Sequence, residues 1–201
     1  MFEVRKSIRQ FRDDPAWTFQ RKARDYLAEF DRGGYPFSLG PRGNFIRNLA
    51  RGRLASGRPV SLFHLGAWVR TGGAPSGEHA RVFGVAVLEL DLVLPATAFT
   101  HSGLAYFTKN WSRPALPCPA GTVTVLPLQG PNDRIHRCST DPAFADAVYT
   151  LQLRSLMRTP AFGWRTDNNR LIGWRFGRRP LTQILALAER LNSIADLLSN
   201  P

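Results

Sequence analysis

Lysine is almost missing from this chain: Lys6, Lys22 and Lys109 are its only three, so nearly all of its 27 basic residues are arginine. Acid is missing over a long stretch. Between Arg32 and Gly77 there is no Asp or Glu, while Arg32, Arg42, Arg47, Arg51, Arg53, Arg58 and Arg70 all fall there. No carboxylate close in sequence can cancel their field, which points to an anionic partner. A high-GC genome enriches arginine over lysine without any function, but such a bias does not remove acids. Cysteine is scarce too, with only Cys118 and Cys138, and no apolar leader opens the chain. Both observations argue against a disulfide framework and for a reduced, cytosolic setting. Long apolar runs are absent: Val82 to Leu94 is the longest, it is interrupted by Glu89 and Asp91, and it falls short of the roughly 20 residues a membrane helix needs.

What is present describes a globular chain. The 201 residues are 43% hydrophobic and 11% aromatic, enough to bury a core as one domain carrying an appended arm. The net charge of +12 divides as +7 over residues 1–60, +1 over 61–130 and +4 over 131–201. The excess therefore sits towards the front. We read residues 1–34 as a basic N-terminal arm and helix, and 35–201 as a single α+β domain.

Val4, Ile8 and Phe11 recur at helical spacing in residues 1–13, with Arg5, Lys6, Arg9 and Arg12 on the remaining faces. That pattern suits a membrane-surface arm or a helix docked on the protein's own core, and docking is the more common use. A helix is then expected from Asp14 as N-cap and Pro15, with Phe19, Ala23, Tyr26, Leu27 and Phe30 as its apolar stripe and Gly33 or Gly34 as its end. Residues 45–55 and 60–70 read as strands about the turn Ser56-Gly57-Arg58-Pro59, and 79–92 as a central strand covered on both faces. Short strands are expected at 97–100, 106–109, 122–126 and 134–139. Asp141-Pro142 begins a short helix with a break near Thr150. The segment 162–166, the turn Asp167-Asn168-Asn169 and 171–176 form a hairpin. A closing helix after Pro180 carries Ile184, Leu187, Leu191, Ile194 and Leu198. The class is α+β: a mostly antiparallel sheet with an N-terminal helix, a short mid-chain helix and a long C-terminal helix.

The order of Asp141-Pro142-Ala143-Phe144-Ala145, a leucine-rich helix, the Phe162/Trp164 to Trp174 hairpin and a leucine-rich final helix resembles an uncharacterised actinobacterial protein family. Ser56-Gly57-Arg58-Pro59-Val60 and Glu89-Leu90-Asp91-Leu92-Val93-Leu94-Pro95 extend the likeness over residues 45–198. The resemblance implies a soluble α+β domain, preceded in many members by membrane helices. It carries no activity to any residue of this chain, and the basic arm stands here in place of those helices.

No catalytic set emerges. His64, His79, His101 and His136 are scattered, with no spacing that places one beside a nucleophile and an orienting carboxylate. Cys118, His136 and Cys138 lack the paired knuckles of a zinc site, and two small thiols are the simpler reading. Gly72-Gly73 and Gly77 have no Lys-Ser/Thr after them and are turn glycines. Asp13-Asp14 reads as a cap, and Glu89 with Asp91 as strand-edge solvation. Neither a metal nor a cofactor is expected. Arg175, Arg178 and Arg179 interleave with Trp174 and Phe176, which suits base stacking and equally suits arginine stems covering aromatic surface. The leading expectation is a non-enzymatic, cytoplasmic binding or assembly protein. It docks an anionic protein or lipid surface through Arg42, Arg47, Arg51, Arg53, Arg58, Arg175, Arg178 and Arg179. Sequence-nonspecific nucleic-acid binding through phosphate neutralisation is the alternative, and peripheral contact of Arg5, Lys6, Arg9 and Arg12 with the inner face of an anionic membrane a third.

Overall fold

The computed structural model describes residues 2–30, 36–37, 44–70, 78–101, 118–119, 121–125, 135–158 and 161–199, the side chains of 68–70, 78–81 and 101 excepted. The expected class holds: helices lie on one antiparallel sheet of nine strands. Helix α1 (Phe2–Asp13) opens the chain, followed by strands β1 (Thr18–Lys22), β2 (Asn44–Arg53), β3 (Pro59–Arg70), β4 (Glu78–Glu89), β5 (Thr97–His101), β6 (Val123–Val125) and β7 (Ile135–Ser139). Helices α2 (Pro142–Val148) and α3 (Leu151–Arg158), the hairpin β8 (Gly163–Asp167) and β9 (Arg170–Phe176), and helix α4 (Leu181–Ser199) complete it. The spatial order is β1-β2-β3-β4-β9-β8-β5-β7-β6. The C-terminal hairpin is thus inserted between β4 and β5 and joins the two halves of the sheet.

Alternation along the strands divides the core in two. Ala50, Leu62, Ala86, Leu88, Phe99, Trp164 and Leu171 face the helices, where Phe11, Ala145, Met157, Leu187 and Leu191 meet them. On the other face Ile46, Leu49, Phe63, Leu65, Val85, Val87, Ile172 and Trp174 pack against Tyr26, Leu27, Phe30 and Phe37. The central strand β4 is buried on both sides from Phe83 to Leu88, as its nearly continuous apolar run requires. Asp141 caps α2 by accepting from the Phe144 N–H at 3.0 Å, and the chain breaks at Tyr149 and Thr150 before α3.

The helix expected from Asp14 does not form. Asp14 caps only a turn, accepting from the Ala16 N–H at 2.9 Å; β1 follows and pairs with β2, and Asp25–Glu29 is one short 3-10 helix. Tertiary pairing explains the difference. The stripe with helical period is shared between layers, since Phe19 packs with the helices while Ala23, Tyr26, Leu27 and Phe30 cover the opposite face. Within residues 2–30, β1 edges the sheet, and Val4, Ser7 and Phe11 of α1 are buried. The strand expected at 106–109 lies outside the described residues.

The two thiols also depart from expectation. Cys118 and Cys138 form a disulfide, with Cα atoms 5.8 Å apart and 20 residues of separation, which corrects the reading of two reduced cysteines. Register is the reason: Cys138 pairs with Thr124 of β6, and the chain just before β6 carries Cys118 to the same place. A cross-link of this length stabilises by about 3 kcal/mol through the unfolded state. We expect Cys118→Ser with Cys138→Ser to lower stability by that order in denaturant titration, and the native protein to release thiols only after reduction. Two thiols titrating in the unreduced protein would contradict the pairing. At Gly84 an added Cβ would stand 2.9 Å from Cγ1 of Ile184, so Gly84→Ala is expected to cost about 1–3 kcal/mol in the same titration by overpacking.

Candidate anion-docking surface

One row across the sheet gathers residues that lie far apart in sequence. Arg47 of β2 is opposite His64 of β3, His64 is opposite Gly84 of β4, and Gly84 is opposite Arg175 of β9. Because Gly84 has no side chain, Arg179 lies over it, with its Cβ 3.4 Å from where a Gly84 Cβ would stand. Gly177, at φ 96°, turns the chain out of β9, and its N–H donates to the Val82 carbonyl at 2.8 Å. That turn carries Arg178, Arg179 and Pro180 across the row into α4.

The row is fixed from beneath by a neutral histidine. His64 is buried, 3% exposed, with its Nδ1 3.2 Å from Nδ2 of Asn48 and its Nε2 2.7 Å from the Arg179 carbonyl oxygen. The amide nitrogen of Asn48 only donates, so Nδ1 accepts and Nε2–H donates to the carbonyl. Asn48 reaches the ring from a bulge in β2 at φ 54°, a left-handed conformation that asparagine tolerates better than most residues. Burial holds the His64 pKa below its ordinary value; the bond to Arg179 opposes that shift, and the charge of Arg178 adds to it.

Around this anchor stand four guanidinium groups. Arg47 is exposed and lies 5.0 Å from the Phe45 ring centre. Arg178 is exposed, and Arg175 and Arg179 are half-buried. Arg179 donates from Nε to the Phe176 carbonyl at 3.1 Å. Arg175 is pushed below the usual guanidinium pKa, first by burial and then by the like charges of Arg179 and Arg190. Among the described residues, no carboxylate lies within ion-pair distance of these four. Helix α1 joins the same end of the fold, because the Leu181 N–H donates to Oγ of Ser7 at 3.0 Å.

The other expected arginines are spread elsewhere. Arg51 is 3.7 Å from Glu29 and lies over the Tyr26 ring at 4.4 Å. Arg58 reaches Asp196 of α4 at 3.2 Å, and Arg53 donates to the Gly57 carbonyl at 2.7 Å. Arg51 thus lies on the Tyr26 face of the sheet and Arg58 on the α4 face, each several residues along the strands from Arg47. The acid-free segment is therefore not one patch, since carboxylates from distant parts of the chain neutralise Arg51 and Arg58. Arg42 lies outside the described residues. Arg5, Lys6, Arg9 and Arg12 are exposed on α1, with Arg12 bonded to Asp13 at 2.8 Å. The apolar side of α1 is buried, so only its basic side and Phe2, 76% exposed, remain outward.

Sequence reasoning missed Arg137 and Arg165, both buried at 1% exposure and paired with Asp146 at 2.7 Å and Asp167 at 3.3 Å. Alternation offered a signal, because each occupies a position between core residues of a strand. His136 is exposed, and Cys118 and Cys138 are consumed by each other. Among the described residues no group of three or more His, Cys, Asp and Glu converges as a metal site would require. The side chains of His79 and His101, and residues Gly72, Gly73 and Gly77, lie outside the described set. Glu89 and Asp91 line a polar cleft of about 340 Å³ with Arg53, Ser56, Arg58 and Asn169.

A nine-stranded antiparallel sheet with a long C-terminal helix across it defines an α+β fold, and a row of arginines crosses the sheet where that helix begins. No family model matches the chain, and no curated protein matches it by sequence. Among solved structures it is similar to the crystal structure of the mycobacterial trehalose monomycolate transport factor A, TtfA. That match has a TM-score of 0.62 and 14% sequence identity, and spans 98% of this chain and 96% of the other. The likeness shows a shared fold. Among the described residues no helix is long and apolar enough to cross a membrane.

The buried neutral His64 has a consequence for pH. Its folded pKa lies below the ordinary 6.5, so the unfolded chain takes up the proton first as pH falls, and the stability that depends on neutral His64 is lost below that value. Melting temperature is expected to drop from pH 7.5 to pH 5.5, and His64→Gln to flatten that part of the profile. An unchanged slope in the variant would assign the effect elsewhere.

Proposed function

We propose that this protein is a non-enzymatic accessory factor that docks an anionic partner, a lipid surface or an acidic protein, through the face bearing Arg47, Arg175, Arg178 and Arg179. The observation that carries the reading is the gathering of these four guanidinium groups from two distant segments, without a carboxylate beside them among the described residues. Elsewhere the fold brings carboxylates to Arg51, Arg58, Arg137, Arg165 and Arg170. Surplus positive potential on one face steers anionic partners and is screened by salt. A fold shared with a transport factor for trehalose monomycolate supports work beside lipid-transport machinery rather than catalysis. Membrane contact is then peripheral, because the apolar side of α1 is already used within the core and only its basic side is free to meet headgroups.

Arg47 and Arg178 are exposed and, among the described residues, form no ion pair, so charge reversal removes only the contact of Arg47 with the Phe45 ring. We expect the protein to co-sediment with phosphatidylglycerol vesicles at low salt and not with phosphatidylcholine vesicles, and Arg47→Glu with Arg178→Glu to weaken binding by about tenfold or more. Indifference of the wild type to anionic vesicles and to an acidic polypeptide alike would end the reading. Equal binding to generic duplex DNA, lost in the same variant, would transfer it to nucleic acid.

A further inference from the structure

Within the cationic row, two members differ from the others in a way that identifies a ligand. Arg47 and Arg178 are exposed, but Arg175 and Arg179 are half-buried and meet over Gly84, which is opposite Arg175 in the ladder and lies beneath the Cβ of Arg179; burial, and then the charges of Arg179 and Arg190, lower the Arg175 pKa. Like charges placed together and partly desolvated are unfavourable until an anion joins them. Their supports are rigid. Arg175 projects from the ladder of β9 opposite Gly84, and Arg179 is held at both backbone and side chain, by His64 on its carbonyl and by the Phe176 carbonyl on its Nε. Gly177 leaves the guanidinium of Arg179 room to lie flat, since even an added Cβ there would stand 3.5 Å from Nε. At the start of α4 the Leu181 N–H is taken by Ser7, and the Gln183 and Ile184 N–H groups by the Pro180 carbonyl.

We infer that Arg175 and Arg179 form a phosphate-binding site, with Arg47 and Arg178 supplying the surrounding field. Two planar guanidinium forks suit the oxygens of a phosphate, which accepts bidentate bonds and carries enough negative charge to relieve both cations at once. The phosphate comes from a lipid headgroup or free in solution, and the inference rests on the docking reading because the same face must meet the partner. It adds that the partner is held by specific ligation at two buried-edge residues, beyond the diffuse attraction of four charges.

The test separates these levels. In wild-type protein, inorganic phosphate titrated at constant ionic strength against chloride is expected to shift the Nε–Hε resonances of two arginines and to raise the melting temperature. Arg175→Met with Arg179→Met is expected to abolish both effects and to weaken binding to phosphatidic acid vesicles by about tenfold or more, while the variant still melts cooperatively in chloride. Arg47→Glu with Arg178→Glu is expected to weaken vesicle binding and leave the two resonances responsive. A phosphate response with no preference for phosphatidic acid vesicles over phosphatidylcholine would assign the site to free phosphate. Identical behaviour of wild-type protein in phosphate and chloride overturns the inference, and the wild-type resonances decide this even if the methionine variant fails to fold. Vesicle binding that survives the methionine pair unchanged also overturns it, yet leaves the docking reading intact; failure of the wild type to bind either anionic vesicles or an acidic polypeptide removes that reading instead.

Discussion

Helix α4 lies so close to the sheet that two positions beneath it have no room for even one side-chain carbon. A Cβ would stand 2.9 Å from Ile184 at Gly84 and 2.7 Å from Leu191 at Gly173. Both glycines belong to the central strands β4 and β9, and their bareness lets Ile184 and Leu191 press directly on the backbone. Each of those side chains contributes about 1.5–3 kcal/mol by leaving water. The same proximity fixes what surrounds it. The turn after β9 must deliver the chain onto the sheet within four residues, so Arg179 is drawn over Gly84, and α1 fits against the start of α4 through Ser7.

The placement of charge follows from that geometry. Arginines whose strands bring them near Glu29, Asp146, Asp167 or Asp196 are used within the fold, as struts across layers or as buried pairs. Arg47, Arg175, Arg178 and Arg179 instead gather near the start of α4. His64 ties the two roles together: its ring supports the Arg179 backbone while remaining uncharged, so it holds the cations without adding to them. Arg137 and Arg165 show the cost of the alternative, because a guanidinium brought into the interior is tolerated only beside its carboxylate and, for Arg137, over the Tyr149 ring at 4.4 Å.

Local signals were legible where the chemistry is local. The turn at Gly57, at φ 85°, the cap at Asp141, the break at Thr150 and the hairpin about Asn168 each follow from residue types within four or five positions. The apolar run of β4 and the stripe of α4 reported their burial correctly. What depends on distant segments was not legible. The spacing from Phe19 to Phe30 imitates a helix, and only the pairing of β1 with β2 reveals that the stripe divides between two layers. The Cys118–Cys138 bond needs the β6–β7 register, and the count of cysteines alone could not supply it. The acid-free segment was visible, but the carboxylates that neutralise Arg51 and Arg58 come from 22 positions before and 138 after. The row of Arg47, His64, Gly84 and Arg175 is a property of register alone.

The margins of the sheet carry a further consequence. Among the described residues, one end of the sheet is a five-residue strand whose exposed side chains include Gln20, Arg21 and Lys22, and the other a three-residue strand beside a covalent cross-link. A second polypeptide arriving at either border finds little backbone to zip onto, and at the first it meets positive charge. Growth by strand addition is discouraged at both limits, so a nine-stranded platform with an apolar interior can stay dispersed at concentrations where a longer, uncharged border would seed fibres.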